Sequence, residues 1–409
     1  MEDRAPVRRR GTLFVSLGLW LALLAALVLV VERGSPPPAG AHAPGVPASG
    51  SFSHVYPSDP FPFERPPVGT SSPYVESAYR LHTNASATTI ARLAAIAAPT
   101  TLTRVAPGIW RLTKPLELGV GSTVSLTGPL RLELAPGAFL LAQHGSSLRL
   151  SDVTIEGVDR SGRAQVTPVP GRGFIDARSG AVLQLVRDTF LDLGHLGDQT
   201  YGVTIDGGSG SSYMRHCTVR GDYFGVYIGR ANGVVIADNR FENSVIYGID
   251  PHTYDTNLSI LNNTVTGSGV HGIVVADHVT NSTIAGNEVL NSRDHGIVLF
   301  QFADHNALRD NVVLGTFDGL VVTDSSSNTF MGNRIGPATR FGIRVSGIST
   351  SNVFQQNVVT RTLVGAYVYQ GASSNQFIDN SFRANYENVR VRADAPSNTV
   401  TPDPGRSEL

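Results

Sequence analysis

The chain has 409 residues, with 32 basic against 33 acidic side chains. That balance offers no global electrostatic case for nucleic acid, so any attraction to an acidic ligand must be local. The single cysteine, Cys217, excludes an intramolecular disulfide and every metal site built on cysteine pairs, and reads as a small packing residue.

In chain order, Arg8, Arg9 and Arg10 precede an almost uninterrupted apolar run from Thr12 to Val31. At ~1.5 Å per residue such a run crosses a hydrocarbon core of ~30 Å, which predicts a cytoplasmic tip and transmembrane anchor over residues 1–33. Arginines cluster before the run and only Arg33 follows it, so the rest of the chain is expected outside the cytoplasm. Cleavage after Ala41-His42-Ala43 would instead release a secreted form. Residues 34–75, rich in Pro, Gly, Ser and Ala, cannot bury a core and form a tether. Within residues 76–104, Ile90, Leu93 and Ile96 recur at helical spacing and suit a short helix capping a solenoid. From residue 105 to 400, short apolar strands broken by Gly and Pro predict a right-handed parallel β-helix, with a tail over 401–409.

The β-helix rests on internal periodicity. Gly202, Gly225, Gly248, Gly272, Gly296, Gly319, Gly342 and Gly365, then Asn388, recur every 23 or 24 residues. The first and third residues after each are almost all apolar, as in Val226 and Ile228 or Ile297 and Leu299, and period two places them on one strand face toward the core. Two asparagine columns share the period: Asn239, Asn263, Asn287, Asn311, Asn333, Asn357 and Asn380, then Asn257, Asn281, Asn306, Asn328, Asn352, Asn375 and Asn398. Both are expected to hydrogen-bond from coil to coil. Asp-rich Gly-Gly-x-Gly-x-Asp repeats are absent, so calcium is unsupported and no cofactor or metal is required.

Columns of sequence become rows on a solenoid, with coils ~4.8 Å apart. The second and fourth positions after each glycine, expected to face solvent, bring Asp250 and His252 side by side, with Tyr227 before them and Phe300, Arg344, Tyr367, Tyr369, Arg390 and Arg392 beyond. Aromatic faces and guanidinium groups on one sheet suit an acidic polysaccharide, and Arg215 and Arg230 add further candidate binding groups. The column just before the glycine reads Tyr247, His271, His295 and Asp318, with Arg293 and Asp294 beside His295. Pro251 lies mid-strand between Asp250 and His252, where it removes a ladder donor without an evident structural gain. Tyr247, Asp250, His252, His271, Arg293 and His295 are therefore the candidate catalytic residues.

The run YGIDPH, followed by NNTVTGSGVHGIVVAD, resembles the bacterial mannuronan C5-epimerases over roughly residues 200–345. That resemblance implies conversion of mannuronate to guluronate within alginate, with Asp250 and His252 at the motif's essential positions. It also matches Tyr247 to a tyrosine proposed as proton donor or acceptor in the calcium-dependent branch. The family's motif continues with an acidic residue, whereas Thr253 follows here and Asp255 would have to compensate; Arg293 lies one position from the expected carboxylate-binding arginine.

The residue types fit this chemistry. A C5 proton beside a carboxylate is weakly acidic, so its removal needs the charge neutralised and the enolate-like intermediate stabilised, with a base and an acid on opposite faces. If the intermediate expels its O4 substituent, the same site is a lyase. A non-catalytic carbohydrate-binding β-helix is the remaining alternative, because such repeats host many functions. The expected partners are an acidic polysaccharide and, through the anchor, the membrane; oligomeric state is left open.

Overall fold

The computed structural model describes residues 79–401 except Thr83, Pro99 and Asp198. The predicted anchor and tether lie outside the described residues, among which no helix is long and apolar enough to cross a membrane.

The chain winds as a parallel β-solenoid. One wall is a thirteen-stranded sheet to which successive coils each contribute one strand, from Tyr79–Arg80 to Glu387–Val391. Two further walls are built from three-residue strands, such as Tyr213–Arg215 and Thr218–Arg220, each paired in parallel with its counterpart one coil on. Parallel pairing begins earlier than the sequence start at 105, since Tyr79 already pairs with Leu116 and Ser86 with Thr123. Near this end the helix Ile90–Ile96 is capped by Thr89, which accepts the Arg92 N–H at 3.1 Å, and it buries Leu93.

The inward positions are those of the period-two pattern. Val226, Ile249, Ile273, Ile297, Leu320 and Ile343 form one fully buried file, and Phe330, Phe354 and Phe377 stack at 4.5 Å in another. The glycine column has a steric origin. A Cβ on Gly272 would lie 2.3 Å from a Val289 methyl and 2.6 Å from the Gly296 carbonyl oxygen, inside any tolerable contact.

The first asparagine column forms as expected. Asn311 Nδ2 donates to Ile284 O and to Asn333 Oδ1, while its own Oδ1 accepts both N–H groups of Asn287. The Cys217 N–H donates to Asn239 Oδ1, so the lone cysteine ends this ladder as a buried packing residue. The second column is correct only from Asn306 onward: Ser282 occupies the ladder position and donates its N–H to Asn306 Oδ1, while Asn257 and Asn281 are exposed one residue earlier.

Candidate active site

The thirteen-stranded wall carries the candidate residues in the expected register. Tyr227 pairs with Asp250, Gly229 with His252, Ala276 with Phe300, Val321 with Arg344 and Arg344 with Tyr367. The strand Ile249–His252 pairs with the following coil at Ile249 and His252 but not at Asp250 or Pro251, as a residue without an N–H requires. The Asp-Pro-His segment is thus a local break in a regular ladder.

The face is not the solvated surface expected from alternation. Asp250, Val274, Val298 and Val321, all at the second outward position, are buried at 1 % exposure or less. This row lies between a file of rings on one side and the row of His252 and Phe300 on the other. The ring file is the column before the glycines: Phe224, Tyr247, His271 and His295 follow one another with centroids 5.0, 5.2 and 4.8 Å apart.

Two clusters emerge where the sequence suggested one. The first centres on His252, whose Nδ1 lies 2.6 Å from Thr253 Oγ1 and whose ring faces Tyr227 at 6.2 Å. Burial pulls the His252 imidazole below its usual range, partly offset by Asp277, and so favours the neutral form. Asp250 is fully buried, and its Oδ1 has no hydrogen-bond partner among the described residues. Burial pushes its carboxyl well above the usual range, toward the protonated, donating form. The phenols of Tyr227 and Tyr247 are likewise raised by burial and stay protonated. Asp255 does not supply the missing acid of the motif, because its oxygens accept the backbone N–H groups of Ala231 and His252 at 2.7 and 3.0 Å.

The second cluster is drawn from the next four coils. His271 Nδ1 accepts the His295 backbone N–H at 3.3 Å, which leaves Nε2 to carry the proton of a neutral ring. Arg344 Nη2 lies 3.2 Å from His295 Nε2, and since a guanidinium can only donate, that nitrogen accepts and the proton sits on Nδ1, 3.2 Å from Asp294 Oδ1. Asp318 is completely buried and takes Arg340 through two hydrogen bonds at 2.9 and 2.6 Å and Arg344 at 3.2 Å. Two guanidinium groups share this one carboxylate.

Arg293 is exposed, and its side chain makes no hydrogen bond or ion pair among the described residues. Arg215 is on a different wall, packed over Tyr213 at 5.2 Å, because the coil turns between the two sheets. Arg230 is ion-paired with Asp206 beside the His252 turn. Tyr367 and Tyr369 stack at 4.6 Å further along the wall, with Arg390 over Tyr367. Arg340 was missed by the sequence reading. Its signal was a column two residues before the glycines, Asp294, Phe317 and Arg340, where charge recurs and Arg340 covers the Phe317 ring at 4.4 Å.

A family model described as periplasmic copper-binding protein (NosD) matches residues 184–402, more than half of the chain. The chain belongs to the NosD family. Within that family setting it is also similar to a mannuronan C5-epimerase, AlgG, of Azotobacter vinelandii, 29% identical over 283 residues that make up 64% of this chain and 53% of the relative. The mannuronan C5-epimerase of Pseudomonas aeruginosa is 28% identical over 193 residues, 43% of this chain and 35% of that protein. The chain therefore spans about half or less of the length of these curated relatives. Among solved structures, the periplasmic alginate epimerase AlgG matches with a TM-score of 0.70 at 19% identity, covering 80% of this chain and 85% of that one, and so shares the solenoid fold.

The copper of the NosD description can be tested against the residues present. His271, Asp294 and His295 offer donor atoms within 4.8 Å of one another. The two imidazoles are stacked 9° from parallel, so their in-plane lone pairs run side by side and do not converge on one ion. Arg344 already holds the far nitrogen of His295, and the softer donor Cys217 is buried in the core. This donor set does not fit copper.

Proposed function

We propose that this NosD-family chain is a polyuronate C5-epimerase acting outside the cytoplasm, converting mannuronate to guluronate within an alginate-like polymer, with its amino-terminal segment as a membrane anchor. The observation that carries the reading is the broken Asp250-Pro251-His252 strand beside the Tyr247, His271 and His295 ring file, in a chain whose curated relatives are mannuronan C5-epimerases.

His252, part-buried and favoured in its neutral form by desolvation, accepts the C5 proton. The charge that develops on the substrate carboxylate needs a donor in place beforehand, and a protonated Asp250, buried with an unbonded oxygen, can supply it. Tyr247, whose phenol stays protonated, returns a proton from the opposite face, with His271 as the neighbouring donor. Arg344 and Arg340, two cations on one carboxylate and on the strand four coils after that of His252, take a carboxylate of the polymer beyond the reacting sugar.

Turnover in heavy water tests the reading. Deuterium should appear at C5 of the new guluronate residues, and His252→Ala and Tyr247→Phe should each abolish that exchange while keeping the melting temperature and polymer binding. Absorbance from unsaturated chain ends would identify a lyase. Binding of polymannuronate by the wild type without deuterium uptake would identify a binding module.

A further inference from the structure

The turn that follows the Asp-Pro-His strand is one residue longer than the turn in the coil before it. Gly229 pairs with His252 and Asn232 with Thr256, so two residues of the earlier coil answer to Thr253, Tyr254 and Asp255. The next coil keeps the longer turn, since His252 pairs with Ala276 and Thr256 with Thr280. The turn persists once more between Phe300 and Ala303, and shortens again between Thr323 and Ser325. In each of these three coils the added residue is a ring: Tyr254, His278 and Phe302.

The fold does not call for a ring at this place. All three residues are left-handed, at φ 61°, 68° and 62°, and in a later coil the corresponding left-handed place, after Gln370, is filled by Gly371. Glycine meets that geometry without a Cβ to strain. The rings are instead spread toward solvent, Tyr254 being 51 % and Phe302 43 % exposed and the His278 side chain 36 %. They stack with centroids 4.6 and 5.1 Å apart, so each covers a face of its neighbour and turns its edge outward. The edge is the positive part of an aromatic quadrupole, and the Tyr254 hydroxyl adds a donor. Asp277, the carboxylate beside the file, is buried and accepts from His278 Nδ1 at 2.9 Å.

We propose that Tyr254, His278 and Phe302 form a rail that holds carboxylates of the polymer along one bank of the site. The rail begins two residues after His252 and runs into the coils that follow, toward the strand of Arg340 and Arg344. Across the buried row of Asp250, Val274 and Val298 stands the file of Tyr247, His271 and His295. A pyranose ring is about as long as the ~4.8 Å between coils, so successive sugars meet successive rings. The rail thus extends the site to one side of the reacting sugar and binds without taking part in proton transfer. The identity of the polymer rests on the epimerase reading.

Equilibrium binding of polymannuronate to the full chain tests the rail, with the melting temperature of each variant as the check on folding. Tyr254→Ala and Phe302→Ala should each weaken binding roughly 2- to 10-fold, the range for a lost aromatic contact, and the double variant should lose more. Phe302→Leu, which keeps an apolar side chain on the turn, should lose the same factor and serves if Phe302→Ala unfolds. On carboxyl-reduced polymer the double variant should bind like the wild type. Unchanged polymannuronate affinity in the double variant overturns the rail, and an equal loss on both polymers overturns its action on carboxylates. The deuterium experiment decides the epimerase separately. Uptake at C5 by the wild type, with unchanged binding in the double variant, sinks the rail alone; weakened binding in the double variant, with no uptake by the wild type, upholds the rail and sinks the epimerase.

Discussion

Asp250 carries the clearest conflict between stability and chemistry at the scale of single residues. An unfolded aspartate ionises near about 3.9, whereas burial holds this carboxyl well above that. Between those two values the unfolded chain releases the proton more readily, so stability is lost as pH rises through the window. Asp250→Asn has no proton to lose, so its melting temperature relative to the wild type should increase as the pH rises above about 4, and its activity should vanish. A constant difference across that range would mean that Asp250 ionises freely in the folded chain. The arginines separate as cleanly. Arg344, held against Asp318 and His295, should matter for polymer binding: Arg344→Gln is expected to raise KM at least tenfold, with steady-state kinetics as the check. Arg293→Gln should stay within about twofold, because its exposed side chain touches no other part of the site, and a surface charge with no partner contributes little. The sequence could nominate Arg344 by its column; that its guanidinium reaches back to His295 depends on side-chain direction, which spacing does not encode.

Among the elements, the asparagine ladder shows both the reach and the limit of periodicity. The Asn311 side chain makes four bonds to groups in adjacent coils, so Asn311→Ala leaves buried N–H and carbonyl groups without partners, at ~1–3 kcal/mol for such a group. Thermal unfolding of this variant should come visibly earlier, and an unchanged melting curve would remove the ladder from the account of stability. The same counting misplaced Asn257 and Asn281. The ladder positions there, Leu258, Ser282 and Asn306, keep a constant 24-residue spacing, and an asparagine next to a ladder position looks the same in sequence as one inside it. The Asp-Pro-His strand was legible for the opposite reason: proline cannot donate to a ladder, so its presence in a repeat announces a break that the pairing then shows.

Over the whole molecule, the proposed anchor gives a topological prediction. Protease added to intact cells, with access to the tether, should release the solenoid, and recovery of the entire chain in the cytosol would refute the arrangement. The parallel solenoid, its core files and the adjacent rows of Asp250 and of His252 could be read from the chain alone. A strand alternates strictly between two faces and each coil repeats the last, so one-dimensional spacing maps directly onto position. Three-dimensional packing settled what spacing leaves free: the burial of the outward row and the separation of His252 from the His295–Arg344–Asp318 cluster. These depend on side chains crossing between coils and on backbone groups competing for the same carboxylates, interactions between residues 20 or more positions apart that no local pattern records.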